Sequence, residues 1–461
     1  MGEVFLLEED QKQLEHLSMR DNETTREMDS IGPMSPRQKI ARVFGAPKRL
    51  IEKKFSPGSL KGSVFTIIAS TIGAGILTLP YAINLAGLYM GIFLFIAGFI
   101  VSLYTCQLLV IVSDLTKVPT YEGVGEHLYG PKMRTFSEIN MIINNYGTYI
   151  AYVVLLKSLG PHAFRLLGIN EGLLDSDYAW GIIITTAIVF PLSIAKKISV
   201  LRFTSVLSCG ACIYLSIVVT AEFFDLRRNE IGNRFEDASP AEFTAYSIFE
   251  VCPLVVFAYT CHPNVLLIYT ELQRRTPGRG YKFLMRGLVT VMIIYIIVGV
   301  FGFLTFYKEY HGLDNFPSNI LSAKYPHGNV PVIISSFTMF ITVLCGAPLL
   351  MHPCRDATLS LIYKGKEYPK RNYLILVTIL VFSGMGLALI IPNIALVLTL
   401  LGSVSNPIIC FILPCMFYMK AKPGKWTRPD LFICWAVMII MTLIGIMGFI
   451  MFWCGLAGYT F

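Results

Sequence analysis

Apolar residues along this chain gather into blocks of about twenty, separated by short polar stretches that hold most of the charge. A helix of roughly twenty residues is what a hydrocarbon layer about 30 Å thick requires. Eleven blocks meet that length: Gly62–Ala86, Leu88–Val112, Thr135–Leu159, Trp180–Ala195, Val200–Ala221, Phe243–Tyr269, Phe283–Phe306, Val330–Met351, Leu374–Pro392, Ile394–Tyr418 and Leu431–Leu456. The pattern predicts an all-α membrane protein. Residues 1–61, rich in Glu, Lys, Arg and Ser, read as a disordered cytosolic tail, and 62–461 as the transmembrane domain. Within that domain spans 1–5 occupy about 62–221, spans 6–10 about 243–418 and span 11 about 431–456.

Composition agrees: 54% of the residues are hydrophobic and 15% charged, against roughly 45–50% and about 25% in a soluble chain. Nothing is left over for a soluble catalytic domain. A net charge of +8 would suggest nucleic acid in a soluble protein, but here the basic residues sort by side of the membrane. Clusters such as Arg274, Arg275, Arg279, Lys282 and Arg286, or Lys364, Lys366, Lys370 and Arg371, fall in alternate connections. The intervening ones hold only Arg165, Arg227, Arg228, Arg234, Lys308 and Lys324. By the positive-inside rule the N-terminus is cytosolic and the C-terminus outside, and no nucleic-acid partner is expected. The sequon Asn22-Glu23-Thr24 then lies in the cytosol, unused.

Two spans carry breaks. Span 1 holds Gly73-Ala74-Gly75-Ile76-Leu77-Thr78-Leu79-Pro80, and span 6 holds Ala258-Tyr259-Thr260-Cys261-His262-Pro263-Asn264. Two mid-membrane glycines lower the cost of unwinding, and Pro263 removes a helix donor and clashes with the preceding turn. Unwound backbone at membrane depth is tolerable only where it lines a cavity or is buried in protein. Breaks five spans apart are the pattern of transporters built from two inverted five-helix repeats, in which the half-helix ends hold the substrate. Opening is expected at Gly73–Leu77 and again between Tyr259 and Pro263. HExxH, GxSxG and P-loop patterns and a histidine cluster are all lacking, so no enzyme, catalytic residue or cofactor is predicted. None of the eleven cysteines has metal-site spacing.

Ionisable side chains within spans are costly and so mark candidate functional positions. Glu250 and His262 are the candidates for proton coupling; the alternatives are attraction of a cationic substrate side chain or a place in the outer vestibule for Glu250, and a structural hydrogen bond at the break for His262. Lys157 is expected to snorkel toward the outer interface. Asn144, Asn145, Tyr146 and Tyr149 of span 3, and Thr338 and Thr342 of span 8, are polar groups able to face a substrate or a neighbouring helix.

The run Phe257-Ala258-Tyr259-Thr260-Cys261-His262-Pro263-Asn264-Val265-Leu266-Leu267-Ile268-Tyr269-Thr270-Glu271-Leu272 closely resembles the sixth helix of system A/N neutral amino acid transporters, within the amino acid/auxin permease family. Gly73-Ala74-Gly75-Ile76-Leu77 with Tyr81-Ala82 is similar to that family's first helix, and Pro348 through Pro353-Cys354-Arg355 to the end of its eighth. The resemblance implies a LeuT-type fold of eleven helices and an amino acid substrate. Its α-carboxylate would meet main-chain N–H groups at Gly73, Ala74, Gly75 and Ile76, and its amino group the carbonyls near Phe257, Tyr259 and Thr260, with Thr71 and Asn145 alongside. Sodium-coupled members similar to this chain carry an asparagine where Ala69 stands, and threonines where Leu344, Cys345 and Gly346 stand. Ser70, Thr71 and Thr342 are the hydroxyls left for an ion site, so protons or the substrate gradient are expected to drive transport more than sodium. The expected function is secondary active amino acid transport by alternating access, at the plasma membrane or an endolysosomal or vacuolar one. An amino acid sensor signalling through the tail is the alternative.

Overall fold

The structure is a computed structural model that describes residues 58–456 apart from 169–171, 173–175, 196–203, 229, 231, 233, 235–244, 311–315, 364–365 and 425–427. Residues 1–57 of the tail, its sequon and the basic residues Lys196, Lys197, Arg202, Lys364 and Lys425 therefore lie outside the described residues, while Leu60 and Lys61, expected in the tail, already belong to the first helix.

Among the described residues, ten helices are long and apolar enough to cross a bilayer, and a bent pair makes an eleventh span. Span 1 is the pair Leu60–Thr71 and Ala74–Ala86, bent by 53°. The others are span 2 (Leu88–Thr116), span 3 (Pro131–Leu166), span 4 (Asp177–Ile194), span 5 (Val206–Leu226), span 6 (Ile248–Glu271), span 7 (Pro277–Phe306), span 8 (Val330–Tyr363), span 9 (Lys370–Ile390), span 10 (Ile394–Ala421) and span 11 (Pro429–Cys454). Among the described residues, each of the eleven expected blocks contains a membrane-length helix or, in span 1, the bent pair. Several helices outrun their apolar block, as span 3 does by starting at Pro131. A hydropathy window stops where the polar residues begin, whereas the backbone ladder continues to the next capping signal. A short helix, Tyr121–Tyr129, was not expected; Thr120 caps it by accepting from the Gly123 N–H at 3.2 Å.

The packing has an internal symmetry. Span 1 lies on span 7 as the second half of span 6 lies on span 2; span 5 packs on span 8 as span 10 packs on span 3; span 4 meets span 8 as span 9 meets span 3. Spans 3 and 8 run against each other, and so do spans 2 and 7. Moving every span five places along maps these neighbours onto themselves, which is the five-plus-five repeat. Span 11 stands outside the repeats, against spans 6 and 10. Close approaches fix the two broken spans to their supports. A Cβ on Gly287 of span 7 would lie 2.1 Å from Ile67 of span 1, and one on Gly402 of span 10 would lie 1.9 Å from the Pro253 carbonyl oxygen of span 6.

Candidate substrate site

Span 1 leaves the helix at Ile72 (φ −78°, ψ 103°) and stays extended at Gly73 (φ −125°, ψ −154°). The expected open run Gly73–Leu77 is only partly open, because Ala74–Thr78 forms a 3-10 turn leading into Leu79–Ala86. The discontinuity is shorter and begins one residue earlier. In span 6 the first half ends at Ala258 and the second, His262–Glu271, starts after Tyr259, Thr260 and Cys261. Pro263 sits in the first turn of that half. Its missing N–H is one that a first turn leaves unpaired anyway, so it starts a helix more than it kinks one.

The two breaks border a cavity of about 250 Å³, some eight times the ~30 Å³ share of one water. Span 1 gives it Ser70, Thr71, Gly73, Ala74 and Gly75; span 6 gives Phe257, Ala258, Thr260, Pro263 and Asn264. Span 3 adds Met141, Asn144, Asn145, Thr148 and Tyr152, and Tyr295 of span 7 with Leu350 and Pro353 of span 8 complete the wall. Among the described residues none of these is Asp, Glu, Lys, Arg or His.

Charge is supplied by backbone instead. Two helix C-termini, at Thr71 and Ala258, and two N-terminal turns, at Ala74 and His262, meet at this cavity. Carbonyl ends carry partial negative charge and N–H ends partial positive charge. The arrangement complements a small zwitterion that has an ammonium and a carboxylate a few ångströms apart.

Tyr295, which no motif marked, ties the breaks together. Its hydroxyl lies 3.0 Å from the Thr71 carbonyl oxygen and 2.9 Å from that of Ala258. One hydroxyl proton cannot satisfy two carbonyls, so acceptor capacity remains for an ammonium. Tyr152 hydrogen-bonds the Ala74 backbone from the opposite wall. A Cβ on Gly73 would stand 3.3 Å from the Tyr152 hydroxyl, and one on Gly75 3.4 Å from the Phe257 ring.

Of the expected residues, Ser70, Thr71, Gly73, Ala74, Gly75, Asn145, Phe257 and Thr260 line this cavity, and Ile76, Tyr259, Glu250, His262 and Thr342 do not. Ile76 is fully buried behind the 3-10 turn. Tyr259 turns toward span 2, where its ring would crowd a Cβ on Gly98 at 3.0 Å. Glu250 sits partly exposed nine residues before Tyr259 along the chain, and the Thr342 hydroxyl is given to the Thr338 carbonyl at 2.8 Å. His262 is buried against span 2, its Nε2 2.8 Å from Thr105 Oγ1. Tyr146 and Tyr149 reach span 9 instead, at Ser383 and the Val381 carbonyl, and the Thr338 hydroxyl is given to its own helix. Lys157 does not snorkel: its ammonium donates to the Ala388 and Ile391 carbonyls, each at 2.7 Å, at the C-terminal end of span 9. That end bears partial negative charge, and the ammonium pairs with it.

Residues 56–458 match the family described as transmembrane amino acid transporter protein. The chain belongs to that family. Among solved structures, this family member is similar to MhsT crystallised in complex with L-phenylalanine, with a TM-score of 0.55 and 14% identity over 84% of this chain and 97% of that one. It is also similar to a Na+-coupled sialic acid symporter in a substrate-bound outward-open state, with a TM-score of 0.51 and 11% identity over 86% and 89% of the two chains. At such identities the likeness speaks for the LeuT-type fold alone. The chain is therefore a multi-pass transporter of the amino acid class and not an enzyme.

Proposed function

We propose that this chain is a secondary active carrier that moves amino acids by alternating access, with the substrate held between the breaks of spans 1 and 6. The observation that carries the reading is the meeting of four half-helix ends on a cavity without an ionisable side chain, bridged by the Tyr295 hydroxyl. The substrate ammonium meets the carbonyls of Thr71 and Ala258. Its carboxylate meets the N–H groups from Gly73 to Gly75, and its side chain lies among Phe257, Met141, Asn145 and Leu350. Backbone groups recognise what all amino acids share, so selectivity falls to those side chains. Alternating access follows from rotating one half of each broken span against the fixed pair of spans 3 and 8.

Protons or the substrate gradient drive the cycle in this reading. The Tyr295 hydroxyl stands where a cation bridging the two breaks would sit, and it supplies a donor there without an ion. Ser70 and Thr71 both give their hydroxyl protons to the Ile67 carbonyl and keep their lone pairs, so they are the side-chain oxygens an ion would use if sodium were coupled. The test is flux: purified protein in proteoliposomes is expected to show saturable amino acid uptake and counter-flow that persists without sodium. Binding without counter-flow would instead make the chain a sensor of the same fold.

A further inference from the structure

Behind the substrate cavity, three soft or borderline metal ligands meet at the hinge of span 6. Cys106 of span 2, Cys261 at the break and His262 in the first turn after it are each fully buried. Their ligand atoms lie within 4.8 Å of one another, and the two sulfurs are 3.7 Å apart. Zinc–thiolate bonds of about 2.3 Å at a tetrahedral angle place two sulfurs roughly 3.8 Å apart. The sulfurs are spaced for an ion between them.

The imidazole is prepared for the same role. Thr105 Oγ1 lies 3.0 Å from the Val101 carbonyl oxygen and 2.8 Å from His262 Nε2, so a hydroxyl that gives its proton to the backbone accepts from Nε2–H. In that tautomer Nδ1 holds a lone pair, and Nδ1 has no hydrogen-bond partner. A buried acceptor without a donor costs about 1–3 kcal/mol. Metal-bound histidines typically anchor their other nitrogen in the way Thr105 anchors this one.

We infer that Cys106, Cys261 and His262 form a binding site for a divalent d10 ion of the zinc class. Binding forms two metal–sulfur bonds and one metal–nitrogen bond and releases the two thiol protons to solvent; no electrons move. Two thiolates cancel the charge of a divalent ion, so the filled site is neutral, as a buried location requires. Three protein ligands leave a fourth position open. Buried cysteines ordinarily pack as small apolar groups, but that role does not account for a His262 Nδ1 left without a partner. Because Cys261 and His262 lie between Thr260 and Asn264, two residues of the cavity wall, a bound ion would pin the hinge to span 2 and slow transport. This last consequence rests on the carrier reading; the binding does not.

The test uses the full-length chain in detergent. The wild type is expected to retain one more equivalent of Zn2+ than Cys106→Ser after dialysis, and to show a thiolate-to-Co2+ charge-transfer band that Cys106→Ser lacks. Thr105→Val, which frees the imidazole, should weaken Zn2+ binding by about 10–100-fold. Zn2+ should raise the Tm of the wild type and leave that of Cys106→Ser unchanged, which reports on the site even where a variant is less stable. Equal Zn2+ content in both proteins, or a Co2+ spectrum without a thiolate band, overturns the proposal. Flux is measured separately, so its loss or retention judges the carrier reading and not the site.

Discussion

The breaks in spans 1 and 6 occupy equivalent places in the two repeats, yet they are built from different residues and face differently. Span 1 breaks over two residues, Ile72 and Gly73, and turns its backbone toward the cavity, with Gly73 and Gly75 keeping the space clear. Span 6 breaks over three residues and divides them: Thr260 faces the cavity, while Tyr259 and Cys261 face span 2, followed there by His262. One break is shaped by the absence of side chains, the other by side chains that grip the scaffold. Substitutions that add bulk should therefore damage transport most at span 1, and those at span 6 should act on either the cavity or the hinge, according to which way the residue points.

The largest effect is expected at Gly75. Gly75→Val brings branched bulk against Phe257, and overpacking of about 3 kcal/mol corresponds to roughly a hundredfold loss of uptake at low substrate. Gly75→Ala, whose methyl meets Phe257 at an ordinary 3.4 Å, should stay near wild type. Uptake in proteoliposomes with matched protein content checks both. Next comes Tyr295→Phe, which removes the bridge between the breaks and leaves a buried carbonyl unpaired at a cost of about 1–3 kcal/mol. Substrate affinity should fall roughly tenfold by equilibrium binding, and an unchanged affinity would separate Tyr295 from the site.

A smaller effect is expected from Glu250→Gln. Glu250 stands away from the cavity, so binding should persist; if it carries the coupled proton, the pH dependence of uptake measured from about pH 5 to about pH 8 should flatten. Smallest for transport is Lys157→Met, which removes charge-assisted bonds to the end of span 9 worth about 1.5–3 kcal/mol. Tm should drop while the apparent KM stays constant, because Lys157 touches the scaffold and not the cavity.

Much of this was legible in the sequence, for physical reasons that differ by element. Hydropathy located every span because a bilayer sets one length for all of them. The glycine pair and Pro263 marked both breaks through backbone chemistry alone. The span 3 wall was legible in part: Asn144 and Asn145 were singled out, whereas Met141, Thr148 and Tyr152, on the same face at helical spacing, were not. Tyr146 points away from that face and Tyr149 stands at its edge, and both meet span 9. Tyr295 gave a fainter signal, a lone phenol in the apolar run from Val291 to Val300 whose hydroxyl had to find a partner. The cluster of Cys106, Cys261 and His262 was not legible, because its ligands come from two spans and span 2 was never placed beside the hinge by spacing. The tail is a proposal still: its residues 1–57 lie outside those described.

The central claim is that backbone at the two breaks holds the charged ends of the substrate, and it can be measured without knowing which amino acid is preferred. The best transported L-amino acid would be tested as a competitor of its own uptake alongside its methyl ester and its N-acetyl derivative. Each derivative abolishes one charge, and losing charge-assisted hydrogen bonds worth about 1.5–3 kcal/mol predicts inhibition constants roughly ten- to a hundredfold weaker for both. Equal competition by either derivative would contradict the account, because the half-helix ends would then not be reading the groups they are placed to meet.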